Sequence, residues 1–123
     1  MMLNKWIKGI ISVVVATGLI SYVVHNYINF VEKKQNVVTI DKKKNKTLFF
    51  YRDDCKDCQK VFHHVYWKNV FNKNIEFVNM NQKMNRKYIE EYDLKSVPSF
   101  VNKNEIYSGT KISDIDHIME NNK

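Results

Sequence analysis

Glycine and proline are scarce in this 123-residue chain, with three of the first and one of the second. So few chain-breaking residues argue against a disordered or loop-dominated protein. Cysteine is nearly as rare. Cys55 and Cys58 are the only two, and with no second pair a four-ligand zinc site has no ready donor set. Charge of either sign is missing from Gly9 to Val31 when His25 is neutral, and internal repeats and low-complexity tracts are missing throughout. No Ala-x-Ala cleavage pattern follows the apolar run, which weighs against a cleaved signal peptide. A basic excess is also lacking where it would matter. The net charge of +7 invites a nucleic-acid reading, but residues 1–46 hold +6 of it and residues 47–123 only +1. The part of the chain able to fold has no surplus cations for phosphates, so no nucleic-acid partner is expected.

What is present begins with the uncharged stretch itself. Gly9–Val31 is twenty-three residues long. At about 1.5 Å of rise per residue it can cross the hydrocarbon core of a bilayer as one helix. Tyr22, Tyr27 and Phe30 near its end suit a membrane interface. The expected organisation is an uncleaved signal anchor over 1–31, a polar linker over 32–36 and a folded domain over 37–123. Two signals conflict on orientation. Lys33, Lys34, Lys42, Lys43, Lys44 and Lys46 outnumber Lys5 and Lys8, and a strict positive-inside count places the domain in the cytoplasm. A basic start, an apolar segment and then a domain is, however, the usual form of an export signal, and the cysteine chemistry suits an oxidising exterior. The expectation is a single-pass protein of the cell membrane with an extracytoplasmic domain.

Within the domain, Val37–Ile40 is β-branched and reads as an edge strand, followed by a Lys-rich turn. Leu48–Tyr51 is a continuous apolar run, the mark of a buried central strand. Val61, Phe62, Val65, Tyr66, Val70 and Phe71 follow the spacing of a helix laid on a sheet. Ile75–Met80 alternates as a strand, and Met84, Tyr88 and Tyr92 lie four apart on a shorter helix. A strand from about Phe100, a turn at Asn102–Asn104 and a return strand over Glu105–Ser108 form a hairpin closed by Gly109. Ser113–Asp116 starts a last helix with Ile112, Ile115 and Met119 as its buried stripe.

The chemistry concentrates in Asp53-Asp54-Cys55-Lys56-Asp57-Cys58, at the point where a strand hands over to a helix. A helix start offers unsatisfied N–H groups and a partial positive charge, both of which favour a thiolate. This is the setting of a thiol–disulfide redox site. Lys56 favours a charged sulfur, Asp53, Asp54 and Asp57 oppose it, and Asp53 or Asp54 also has the chemistry of a helix cap.

Phe49-Phe50-Tyr51, Cys55-Lys56-Asp57-Cys58, Val97-Pro98 before a hairpin and Gly109 before the last helix together resemble the thioredoxin-like superfamily over roughly residues 37–121. The implied fold is α/β and three-layered, a central mixed sheet flanked by helices, here preceded by one transmembrane helix. Phe-Tyr-Arg-Asp-Asp-Cys-x-Asp-Cys further resembles small membrane-anchored thioredoxin-like proteins associated with bacteriocin maturation or export in Gram-positive bacteria. The resemblance implies that Cys55 attacks a client disulfide and that Cys58, buried in the first helical turn, resolves the mixed disulfide. Lys56 and Asp57 would shape the site. A cis Val97–Pro98 bond would face the cysteines and let the Val97 backbone pair with a substrate strand. It implies no cofactor and no metal. The partners would be a secreted or surface cysteine-containing peptide, a redox partner or small thiol that recycles the pair, and the membrane.

Two departures stand out. Many thioredoxins carry a buried Asp six residues before the first Cys and a Trp just before it; here those positions hold Phe49 and Asp54. An oxidase or isomerase is therefore expected over a general reductase. The rival from another class is a redox-silent module that only binds peptide along the Val97–Pro98 edge as an export or immunity accessory. A structural Cys55–Cys58 disulfide would close too small a loop to stabilise much. His63 and His64 are read as exposed helix residues rather than zinc ligands, and Tyr66, Trp67, Tyr88 and Tyr92 as packing residues.

Overall fold

A computed structural model describes residues 2–103 and 105–120. The chain divides after Val31 into two compact units. The first is formed by helix α1 (Met2–Glu32). From Asn4 to Glu32 its mean hydropathy reaches 2.0, long and apolar enough to cross a membrane. Thr17 on this helix donates its hydroxyl back to the Val13 carbonyl at 2.8 Å.

The second unit is built on a four-stranded sheet. In chain order come β1 (Thr47–Tyr51), α2 (Lys56–Asn72), β2 (Ile75–Asn79), a 3-10 turn (Lys83–Arg86) running into α3 (Lys87–Glu91), β3 (Ser99–Asn102), β4 (Glu105–Ser108) and α4 (Ile112–Glu120). The strand order is β2-β1-β3-β4, with β1 and β2 parallel and the other pairs antiparallel. This is the expected mixed sheet. Every residue of β1 is buried, because helices cover both of its faces. Phe49 stands at the centre of one face. In register with it lie Phe77 on β2 and Phe100 on β3, and Tyr107 on β4 opposes Phe100. One aromatic row thus crosses all four strands, and Phe62 of α2 packs against Phe49 and Phe77. Leu48 and Phe50 point the other way, into a cluster with Val38, Val78, Met80, Tyr88 and Val101.

The expected strand over Val37–Ile40 does not form. Its alternation is real, since Val38 is buried and Val37 and Thr39 are exposed. Its backbone groups are taken by side chains instead of a neighbouring strand. The Val38 N–H donates to Asn85 Oδ1 at 2.9 Å, the Tyr88 hydroxyl donates to the Val38 carbonyl at 2.7 Å and the Ile40 N–H donates to that hydroxyl at 3.1 Å. Asn85 Nδ2 holds the Asn36 carbonyl and Gln82 Nε2 the Gln35 carbonyl. Asn85 is itself fully buried, so its amide is committed to this stitching. The helix expected around Met84–Tyr92 begins as a 3-10 turn and becomes α-helical only at Lys87. Of the hairpin turn, Asn104 lies outside the described residues, as do residues 121–123 at the end of the expected domain.

Gly109 follows the hairpin with φ of +148°, and its N–H donates to the Pro98 carbonyl at 3.1 Å. A Cβ here would sit 2.7 Å from the Tyr107 hydroxyl, which already accepts from the Lys111 N–H. Gly109→Ala is expected to destabilise the domain by about 1–3 kcal/mol. A thermal melt followed by circular dichroism checks this, and an unchanged midpoint would reject the strain.

Candidate functional site

The loop between β1 and α2 is a turn in which the Cys55 N–H donates to the Arg52 carbonyl at 3.2 Å. Cys55 is the N-cap of α2. Its backbone is extended, and its sulfur, not the carboxylate of Asp53 or Asp54, accepts the Cys58 N–H at 3.2 Å. A helix start thus directs an orphan N–H at Cys55 Sγ. Both cysteines are free thiols. Cys55 is half-buried and its thiol donates to the Val97 carbonyl at 3.9 Å. Cys58 is fully buried in the first turn. Burial pushes its thiol well above the usual cysteine range, and the Cys55 sulfur adds to the shift. The Glu32 carboxyl contributes a smaller part in the same sense, and a backbone hydrogen bond with Arg52 opposes it.

The Val97–Pro98 peptide bond is cis. Pro98 is buried at the start of β3 and Val97 half-buried, so the structure brings Cys55, Cys58, Val97 and Pro98 together. Lys56 and Asp57 stand apart from this cluster. Both are exposed on the first turn of α2, and Asp57 pairs with Lys60 at 3.4 Å. His63 and His64 are half-buried rather than exposed, and His64 Nε2 lies 2.6 Å from Asp116 Oδ1, joining α2 to α4. Among the described residues no three His, Cys, Asp or Glu side chains gather as a metal site.

The three acids before and within the motif are each engaged. Asp53 Oδ2 accepts from Gln35 Nε2 and Asn79 Nδ2, and Asp53 Oδ1 from Asn81 Nδ2. Gln59 Nε2 reaches back to the Asp53 carbonyl. Asp54 is exposed, and Asn81 and Arg52 hold its carboxyl below the usual range. Asn79 and Asn81 are therefore the brace of the cysteine loop, which sequence reasoning missed. The signal was present. Asn79 is in register with Tyr51, so the ends of the parallel strands β1 and β2 bring Asn79-Met80-Asn81 beside the loop, where parallel sheets assemble their sites. Glu32 was missed as well. Counted as a polar linker residue, it is 5% exposed, and its Oε2 has no hydrogen-bond partner among the described residues.

No protein-family model matches the chain, and a comparison with curated proteins finds no match. Solved structures do match. Thioredoxin from Fasciola hepatica is 18% identical, with a TM-score of 0.53 over 66% of this chain and 86% of that one. Mitochondrial thioredoxin 3 from Saccharomyces cerevisiae, in its oxidized form, is 12% identical, with a TM-score of 0.53 over 80% of this chain and 89% of that one. The Drosophila germline-specific thioredoxin Deadhead is 16% identical, with a TM-score of 0.50 over 65% and 85%. At these identities the likeness concerns the fold, and that fold is thioredoxin-like.

Proposed function

We propose that the chain is a membrane-anchored, extracytoplasmic thiol–disulfide oxidoreductase that works through Cys55 and Cys58 as an oxidase or isomerase. One observation carries the reading: an accessible sulfur caps a helix and touches the Val97 carbonyl, while its partner thiol is sealed behind it. In the oxidising direction a client thiolate attacks Cys55 Sγ of the Cys55–Cys58 disulfide. The S–S bond breaks and Cys58 leaves as thiolate, then takes up a proton. A second client thiolate attacks the client sulfur of the mixed disulfide and expels Cys55. The client loses two electrons and two protons, and the pair gains them. A disulfide-bearing partner or small disulfide must then reoxidise the pair.

The raised Cys58 thiol does not set the direction by itself, since a sulfur that keeps its proton is slow both to attack a mixed disulfide and to leave as thiolate. The preference for oxidation or isomerisation rests on Phe49 and Asp54, which stand where many thioredoxins carry a buried Asp and a Trp. A secreted cysteine-containing peptide of the bacteriocin kind is the client we favour, on the likeness of Phe50–Cys58 to the anchored proteins associated with such peptides. The N-terminal helix, with its mean hydropathy of 2.0, would hold the domain at the membrane. Equilibration of the full chain with glutathione buffers tests the direction. The expected potential is more oxidising than about −200 mV, and a value near −270 mV, the thioredoxin end, would overturn it.

A further inference from the structure

A cleft of about 440 Å³ opens beside the exchange centre, between the end of β1 and the segment leading to Pro98. Met80, Ile89, Leu94 and Val97 give it apolar walls. Arg52, Arg86 and Lys95 also line it, and no acidic residue does. Residues 47–123 carry a net charge of only +1, so three cations on one cleft are a local concentration and not a reflection of the whole domain.

None of the three is fully spent on its neighbours. Arg52 pairs with Asp54 at 3.3 Å and Lys95 with Asp93 at 2.8 Å, but all four side chains are about half exposed or more. Pairs in that setting contribute about 0–1 kcal/mol and yield readily to a better partner. Arg86 donates Nε to the Met80 carbonyl and has no carboxylate partner among the described residues.

We propose that this cleft selects the client, accepting an extended peptide segment in which an apolar side chain is flanked by acidic residues, next to the cysteine under attack. The proposal rests on the exchange reading and names its substrate class. Val97 supplies both a wall of the cleft and the carbonyl that touches Cys55, so the two sites share a border. A client cysteine engaged at Cys55 has neighbours at about 3.3 Å per residue along an extended chain, which reach the cleft within a few positions. The apolar side chain fills the walls. The carboxylates meet Arg52, Arg86 and Lys95, which speeds encounter with acidic partners and disfavours basic ones.

Fluorescence anisotropy on the full chain in detergent micelles tests the selection. Two short labelled peptides share a leucine at the centre, carry Ser where a client has Cys, and differ only in Asp/Glu against Lys flanks. The acidic peptide is expected to bind at least about ten-fold more tightly, with the advantage shrinking at about 0.5 M salt. Lys95→Glu, a change at an exposed residue, should cut that ratio to about three-fold or less. Equal affinities, or a preference indifferent to Lys95→Glu, would overturn the proposal. Exchange of the unaltered chain with a neutral small disulfide is read separately. A fault in the thiol chemistry appears only there, and a fault in selection only in the peptide binding.

Discussion

Cys55→Ser is expected to lower thiol–disulfide exchange by about three orders of magnitude or more, the scale on which a covalent nucleophile is lost. The fold should survive. The Cys55 side chain accepts the Cys58 N–H as the N-cap of α2, and a serine hydroxyl is among the best groups for that position. The variant therefore separates chemistry from architecture. Cys58→Ser should behave differently: Cys55 still attacks, nothing resolves, and a mixed disulfide accumulates that is visible as a mass shift on a non-reducing gel. Alkylation gives a further contrast. In Cys55→Ser the remaining thiol is buried and held as thiol through the pH range where an ordinary cysteine ionises, about 8–9, so iodoacetamide should label it far more slowly than it labels Cys55 in Cys58→Ser. Retention of more than about a tenth of the exchange rate in Cys55→Ser would show that Cys55 is not the nucleophile, and full cellular function in a Cys55→Ser chain that no longer exchanges would leave a peptide-binding role as the better account.

The parts of this arrangement that could be read from the sequence are those whose signal is local and periodic. Leu48–Tyr51 is uninterrupted because both its faces are covered, and the helical spacing after Cys58 follows from α2 lying on the sheet. Val37–Ile40 misled for a physical reason. Period-two burial reports which side chains face the core, but not which groups satisfy the backbone, and here Asn85 and Tyr88 do so from nearly fifty residues away. The brace at Asp53 was hidden similarly: Gln35, Asn79 and Asn81 converge from separate segments, and an isolated Asn has no pattern. The cationic cleft draws on residues between 52 and 97, and only the fold brings them to one border. Cysteine spacing needed no such help, since two residues between the sulfurs fix their proximity on any helix start.

Phe49→Ala is expected to have the largest effect on stability, about 3–5 kcal/mol, the usual range for truncating a fully buried aromatic. Phe49 has no exposure and is the middle of the row that joins all four strands. Its ring stacks on Phe100 at 4.7 Å and 3° and meets Phe77 edge-on at 5.7 Å, with Phe62 at 6.1 Å and Tyr51 at 5.0 Å. A small domain has about 5–15 kcal/mol in total, so the midpoint of thermal unfolding should fall by at least about 12 °C. Phe49→Leu keeps much of the volume and should cost less. Phe49→Asp distinguishes this site from the thioredoxins that carry an acid at the corresponding place. The rings of Phe62, Phe77 and Phe100 offer a carboxylate no donor, so the acid would add a desolvation cost to the lost packing and leave the domain largely unfolded. The order Leu, Ala, Asp in falling midpoint is the expected result, and a fall under about 5 °C for Phe49→Ala would show that the row is not what joins the strands. The aromatic row thus bears on the cysteine pair beyond the end of β1. Phe49 holds β1 and α2 in place beneath Cys55, in a position where the surrounding core excludes the acid.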